Sequence, residues 1–132
     1  MNVTVDTNVL VRAITDDDPR QSRIAKAELA QAEIIALAVP ALCELVWVLS
    51  RGYRVPLTEI AEAMRRLIGS ANVVVDRPAV EAGLAVMDAG GDFADGIIAH
   101  EGHQLGADIF ISFDRQAVRL FQARGEAAQM LS

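Results

Sequence analysis

The chain has 132 residues, a formal net charge of −6 and 52% hydrophobic side chains. That length fits one domain, residues 1–132, with a full core, and the apolar content excludes a disordered chain. The acidic balance speaks against a general nucleic-acid binder, unless several of the acids are collected in one pocket. The N-terminus has no basic region and Asp6 interrupts its first apolar run, so no targeting signal is expected. The best candidate for a membrane span, residues 34–43, is broken by Pro40 and bounded by Glu33 and Glu44. A single Cys43 rules out an internal disulfide and suits a reducing cytoplasm. Lys26 is the only lysine. Arginine suits bidentate phosphate contacts, although a GC-rich genome produces the same bias.

In chain order, Val3 and Val5 read as a first buried strand, followed by a short helix over residues 8–13. "DDDPR" supplies an N-cap at Asp18 and a proline at the first helical position, and a helix runs from there to about residue 32. "IIALAV" is a second strand. Pro40 opens a helix through "ALCELVWVLSR" that stops at Gly52. A helix over 58–68 takes Thr58 as its cap. "NVVV" at 72–75 is a third strand, and 78–88 a helix. "GGDFADGIIAHEGHQLG" is a break followed by a helix, "DIFIS" a fourth strand, 116–123 a helix, and 128–131 a last short strand. Strands alternating with helices imply crossovers and a parallel sheet. Their near-continuous Val and Ile content predicts burial on both faces. The fold class expected is a three-layer α/β/α, Rossmann-like one with a mainly parallel central sheet, in which ligands sit at the carboxyl ends of the strands.

That rule picks out the acids. Asp6 ends the first strand and Asp114 ends "DIFISFD", with Ser112 two residues earlier. Each alone fits a helix cap as well as a site. Asp76, followed by Arg77 and Pro78, reads as an ordinary helix start. Glu44 lies in the otherwise apolar "ALCELVWVL", with no basic residue at helical spacing to pair with it. A cation from elsewhere accounts for it, or an exposed position near the helix N-terminus. Asp92 fits an N-cap, with Asp95 three residues on as in a capping box. Asp95, Ala99, Gly102 and Gly106 share a helical stripe of small residues, which predicts a helix lying close to the sheet with Asp95 aimed at its rim. The assignment is Asp92 as cap and support, Asp95 as ligand.

Four carboxylates in one place repel each other, and their pKa values rise unless cations are present. Hard oxygen donors with room for water describe Mg²⁺ or Mn²⁺, not zinc. One or two such ions activate water and neutralise charge on a phosphodiester. "HEGH" at 100–103 is one residue short of the H-E-x-x-H zinc spacing. On the helix phase, His100 and His103 lie away from the Asp95 stripe and read as surface residues.

"VDTNVLVR", the glutamate in the helix after the second strand, "DFADGIIA" and "FISFDR" together resemble, in order and spacing, the PIN-domain ribonucleases, and within them the VapC-type toxins of bacterial toxin–antitoxin pairs. The resemblance spans essentially the whole chain. It implies a Mg²⁺- or Mn²⁺-dependent endoribonuclease whose acidic positions are Asp6, Glu44, Asp95 and Asp114, with Asn8 orienting the first acid or a metal-bound water. Ser112 stands where the family more often has threonine. Arg115 is a candidate for a substrate phosphate, or for a surface salt bridge. The resemblance further implies a cytoplasmic homodimer, a VapB-type antitoxin with a basic tail, and structured RNA, often transfer RNA, as target. Hydrolysis by in-line attack of water would leave 5′-phosphate and 3′-hydroxyl ends.

Other classes fit less well. A phosphoacceptor receiver domain needs a lysine near its fifth strand, whereas Lys26 lies in an early helix. A phosphatase of the D-x-D type would need an acid where Asn8 stands. No Walker or G-x-G-x-x-G loop is present. A PIN-like binding scaffold would be marked by a lost acid, and none is lost.

Overall fold

Asn2–Thr4 forms strand β1, and the backbone turns directly into helix α1 (Thr7–Ile14), then α2 (Pro19–Gln31). Strand β2 (Ile34–Ala36) follows, then α3 (Val39–Trp47), which runs into a π-helical turn over Val48–Gly52, then α4 (Leu57–Ile68) and β3 (Val73–Val74). Helices α5 (Arg77–Asp88) and α6 (Phe93–Gln104), strand β4 (Phe110–Ser112), α7 (Arg115–Ala123) and β5 (Ala128–Met130) complete the chain. This computed structural model describes residues 1–132. It divides into two compact units, Met1–Arg77 and Pro78–Ser132.

In the first unit β1, β2 and β3 lie side by side in sequence order, all parallel. Right-handed crossovers between strands added in one direction put the connecting helices on one face. The burial alternates to match: Val3, Ile35 and Val73 stand in one register row and are buried or half-buried, while Asn2, Thr4, Ile34, Ala36 and Val74 are exposed. The expectation of strands buried on both faces is therefore corrected, because these strands alternate with period 2. The core beneath the sheet is built from Leu10, Leu42, Leu45, Leu49, Ile60 and Met64, each at most 1% exposed. The Asn72 amide donates to the carbonyls of Leu29 and Ala32, tying the end of α2 to the start of β3.

The second unit pairs β4 and β5 in parallel around α7. Phe110 of β4 meets Phe121 of α7 with ring centroids 4.7 Å apart, inclined at 50°. Helices α5 and α6 touch backbone to backbone. A Cβ added at Gly96 would lie 2.7 Å from the Ala82 carbonyl oxygen and 2.9 Å from the Gly83 Cα. The close approach of α6 is thus made by Gly96 against α5, not by the Ala99, Gly102 and Gly106 stripe. Gly106 has a different task. Its φ of +108° lies in the left-handed region, where it ends α6 with Ala107 N–H donating to the Gly102 carbonyl.

The α/β class with parallel strands stands as expected. One cap differs: α4 begins at Leu57 behind Pro56, so Thr58 lies inside its first turn. Pro56 fixes φ ahead of the helix, its carbonyl accepts the Glu59 and Ile60 N–H groups, and no side chain caps the first turn. No helix is long and apolar enough to cross a membrane.

Candidate active site

Asp6 sits in extended backbone at the N-cap of α1, where Oδ1 accepts the Asn8 backbone N–H at 3.0 Å. A carboxylate there satisfies one of the helix's orphan donors and meets the positive end of its dipole. The side chain is exposed and its second oxygen takes no hydrogen bond from the protein. Thr7, beside it, is buried, and its hydroxyl lies 3.5 Å from the Ala41 carbonyl oxygen, tying the start of α1 to α3. Glu44 follows one turn further along α3, exposed and without an ion pair or hydrogen bond. No protein cation answers it. Asn8 is exposed beside Asp6.

In the second unit Asp92 caps α6, its Oδ1 accepting the Asp95 N–H at 3.0 Å. Asp95 makes no reciprocal bond, so this is a one-sided cap and not a full capping box. The Asp95 carboxyl is half-buried, and its pKa is raised, first by burial and then by the charges of Asp92 and Asp114. The charges of Asp92 and Asp114 therefore both reach Asp95. Asp114 caps α7, its Oδ1 accepting from Gln116 and Ala117 N–H at 2.9 and 3.2 Å. Ser112 Oγ accepts the Asp114 N–H at 2.9 Å and fixes the backbone that carries this acid. Arg115 opens α7, exposed and unpaired, so the alternative of a surface salt bridge is not realised.

Cap and ligand are thus not rival roles. Asp6, Asp92 and Asp114 each give Oδ1 to helix N–H groups, which fixes the carboxylate plane and leaves Oδ2 without a protein hydrogen bond. His103 is exposed and His100 half-buried. No three His, Cys, Asp or Glu side chains are gathered tightly enough to form a metal site by themselves. The donor chemistry nevertheless fits a hard divalent cation. Asp95 is a partly desolvated carboxylate beside two others, with no basic group among the influences on it, and such a group is relieved by a cation.

Two features went unread in the sequence. One is the Thr7–Ala41 contact, which needed the packing of α1 on α3. The other is the π turn after Trp47, for which "VWVLSRGY" carries only the signal of an early Gly52.

Parallel strands whose ends and following turns carry helix-capping acids define an α/β protein with carboxylates at the carboxyl ends of its strands. The sequence model of the PIN domain family matches residues 3–121, and the chain belongs to that family. Membership places it in a nuclease superfamily whose members generally depend on metal ions. No curated protein matches the chain.

Proposed function

We propose that the chain works as one PIN domain and is a Mg²⁺- or Mn²⁺-dependent endoribonuclease, the toxin of a type II toxin–antitoxin pair. Asp6, Glu44, Asp95 and Asp114 are its metal-holding and catalytic acids. The observation that carries this reading is Asp95: a half-buried carboxyl, raised in pKa, with acids and no cation around it. Family membership supports the nuclease chemistry. The bound cation would lower the pKa of a water and neutralise charge growing on the scissile phosphate.

The residues of the chain do the rest. Helix N–H groups hold Asp6 and Asp114 in fixed orientation, Asp92 positions the first turn of α6 under Asp95, and Ser112 fixes the Asp114 backbone. Arg115, unpaired beside Asp114, would hold a substrate phosphate, and Asn8 would steer Asp6. The target is structured RNA, transfer RNA among the candidates, cut to 5′-phosphate and 3′-hydroxyl ends so that translation stops. The setting is cytoplasmic and the assembly a homodimer. The partner is a VapB-type antitoxin whose basic tail complements the net charge of −6.

The test is cleavage of total RNA by purified protein with Mg²⁺ or Mn²⁺, with EDTA, and by Asp95→Asn. Cuts that need the metal and vanish in the variant support the assignment. Cutting that survives both EDTA and the variant overturns it.

A further inference from the structure

Trp47, the only tryptophan, is 62% exposed at the end of α3. A single exposed apolar side chain is ordinary on a protein surface, but the company of this one is not. Glu44 stands one turn before it and Arg51 one turn after, so the three share an exposed face. Arg51 lies in the π-helical turn Val48–Gly52, closed by Tyr53 N–H to the Val48 carbonyl at 3.1 Å. π turns are rare and concentrate at functional positions.

Arg54 follows with φ of 55°, a left-handed conformation unusual for a non-glycine residue. The segment is pinned by Val55 N–H to the Leu49 carbonyl at 2.9 Å and by the Tyr53 hydroxyl, which donates to Asp17 at 2.7 Å. Arg51 and Arg54 are exposed and form no ion pair. In a chain of net charge −6, the unpaired Arg51 one turn after an open indole supplies a free guanidinium on the same face, with the unpaired Arg54 three residues further on.

We infer that the Glu44–Trp47–Arg51 face binds a single-stranded segment of RNA, one base stacked on the Trp47 indole and a neighbouring backbone phosphate held by Arg51. Stacking on an aromatic ring is tolerant of sequence and strong enough to hold one nucleotide, and arginine adds a planar, charged fork for the phosphate. The inference rests on the proposed nuclease, because Glu44 places the stacked base one helical turn from a catalytic acid. It makes Trp47 a substrate-binding residue that registers an unpaired nucleotide against the cut.

The lone tryptophan is its own reporter. Protein in EDTA, where cleavage is blocked, is titrated with a short unstructured oligoribonucleotide and with an abasic oligomer of equal length, following tryptophan emission. The base-bearing strand is expected to quench the emission in proportion to binding, and the abasic strand to leave it nearly unchanged. Trp47→Ala should weaken binding of the oligoribonucleotide about tenfold or more, and Trp47→Phe much less. In metal-dependent cleavage Trp47→Ala should raise KM with kcat little changed.

RNA binding without quenching, or unaltered affinity in Trp47→Ala of normal melting temperature, overturns the inference. So does emission that shifts with protein concentration alone, which assigns the face to a second copy. Cleavage intact with stacking absent leaves the nuclease standing. Stacking intact with no metal-dependent cleavage removes the nuclease and keeps the binding face.

Discussion

Asp92 holds Asp95 in two opposed ways: its Oδ1 accepts the Asp95 backbone N–H at 3.0 Å, and its charge helps to raise the pKa of the Asp95 carboxyl. The hydrogen bond fixes the first turn of α6. The repulsion, added to burial, makes an ionised Asp95 unfavourable without a cation. A raised carboxyl contributes stability fully below its unfolded pKa and loses it as pH rises through the folded value. At pH 7 the metal-free protein therefore carries a penalty, softened because the half-buried group keeps some contact with solvent. Asp95→Asn is expected to raise the metal-free melting temperature at pH 7 slightly and to abolish cleavage. Mg²⁺ or Mn²⁺ should then raise the melting temperature of the wild type and leave the variant unmoved. Thermal unfolding with and without EDTA measures both, and equal metal stabilisation of the two proteins would remove Asp95 from the site.

Cap and ligand functions separate at Asp6 and Asp114. Asparagine keeps an oxygen for the helix N–H groups and is as good an N-cap as aspartate. Asp6→Asn and Asp114→Asn should retain near-native stability and lose cleavage. Asp6→Ala and Asp114→Ala should lose cleavage and also about 0.5–2 kcal/mol of stability, the usual cost of a missing cap. Urea unfolding beside an RNA-cleavage assay tests all four. Full activity in either asparagine variant would mean that the residue is a cap and nothing more.

The acids stood out in the sequence because each interrupts an apolar run: Asp6 after the valines of β1, Glu44 within α3, Asp114 after β4. Order of elements was equally legible, since strand and helix periods differ. What the sequence hid depended on packing. The small-residue stripe of α6 pointed to Ala99 and Gly102, yet the tight contact is Gly96 on α5, because a close approach is decided by the facing backbone. On β2 and β3 the outward Ile34, Ala36 and Val74 are as apolar as the inward Ile35 and Val73, so only Asn2 and Thr4 of β1 signalled which face is exposed.

The junction of α1 and α2 makes an acid-sensitive clasp. Asp17 has a lowered pKa, chiefly through the Tyr53 hydroxyl and then Thr15, and Asp16 is lowered by Lys26 and Ser22. A lowered carboxyl contributes stability above its unfolded pKa and loses it as pH falls through the folded value. Tyr53→Phe should therefore lower the melting temperature modestly at pH 7, and the difference should begin to shrink as pH falls below the ordinary carboxylate range and vanish only below the lowered value of Asp17. A melting-temperature profile of the two proteins from pH 2 to 7 decides it, using roughly the span over which such carboxylates titrate. A difference that persists unchanged at the acid end would assign the Tyr53 effect to packing.

Gly96 is where the second unit tolerates least change. Its missing Cβ would stand 2.7 Å from the Ala82 carbonyl oxygen and 2.9 Å from the Gly83 Cα, both backbone atoms that cannot rotate away. Alanine is the better helix former by at most about 1 kcal/mol, whereas overpacking a filled contact costs about 1–3 kcal/mol. Gly96→Ala should thus be destabilising overall, with α6 pushed off α5. Because Asp95 is the adjacent residue on α6, cleavage should fall more than stability alone explains. Urea midpoints and cleavage rates at a temperature where the variant is folded separate the two effects. A variant as stable as wild type would show that α5 and α6 slide apart without cost.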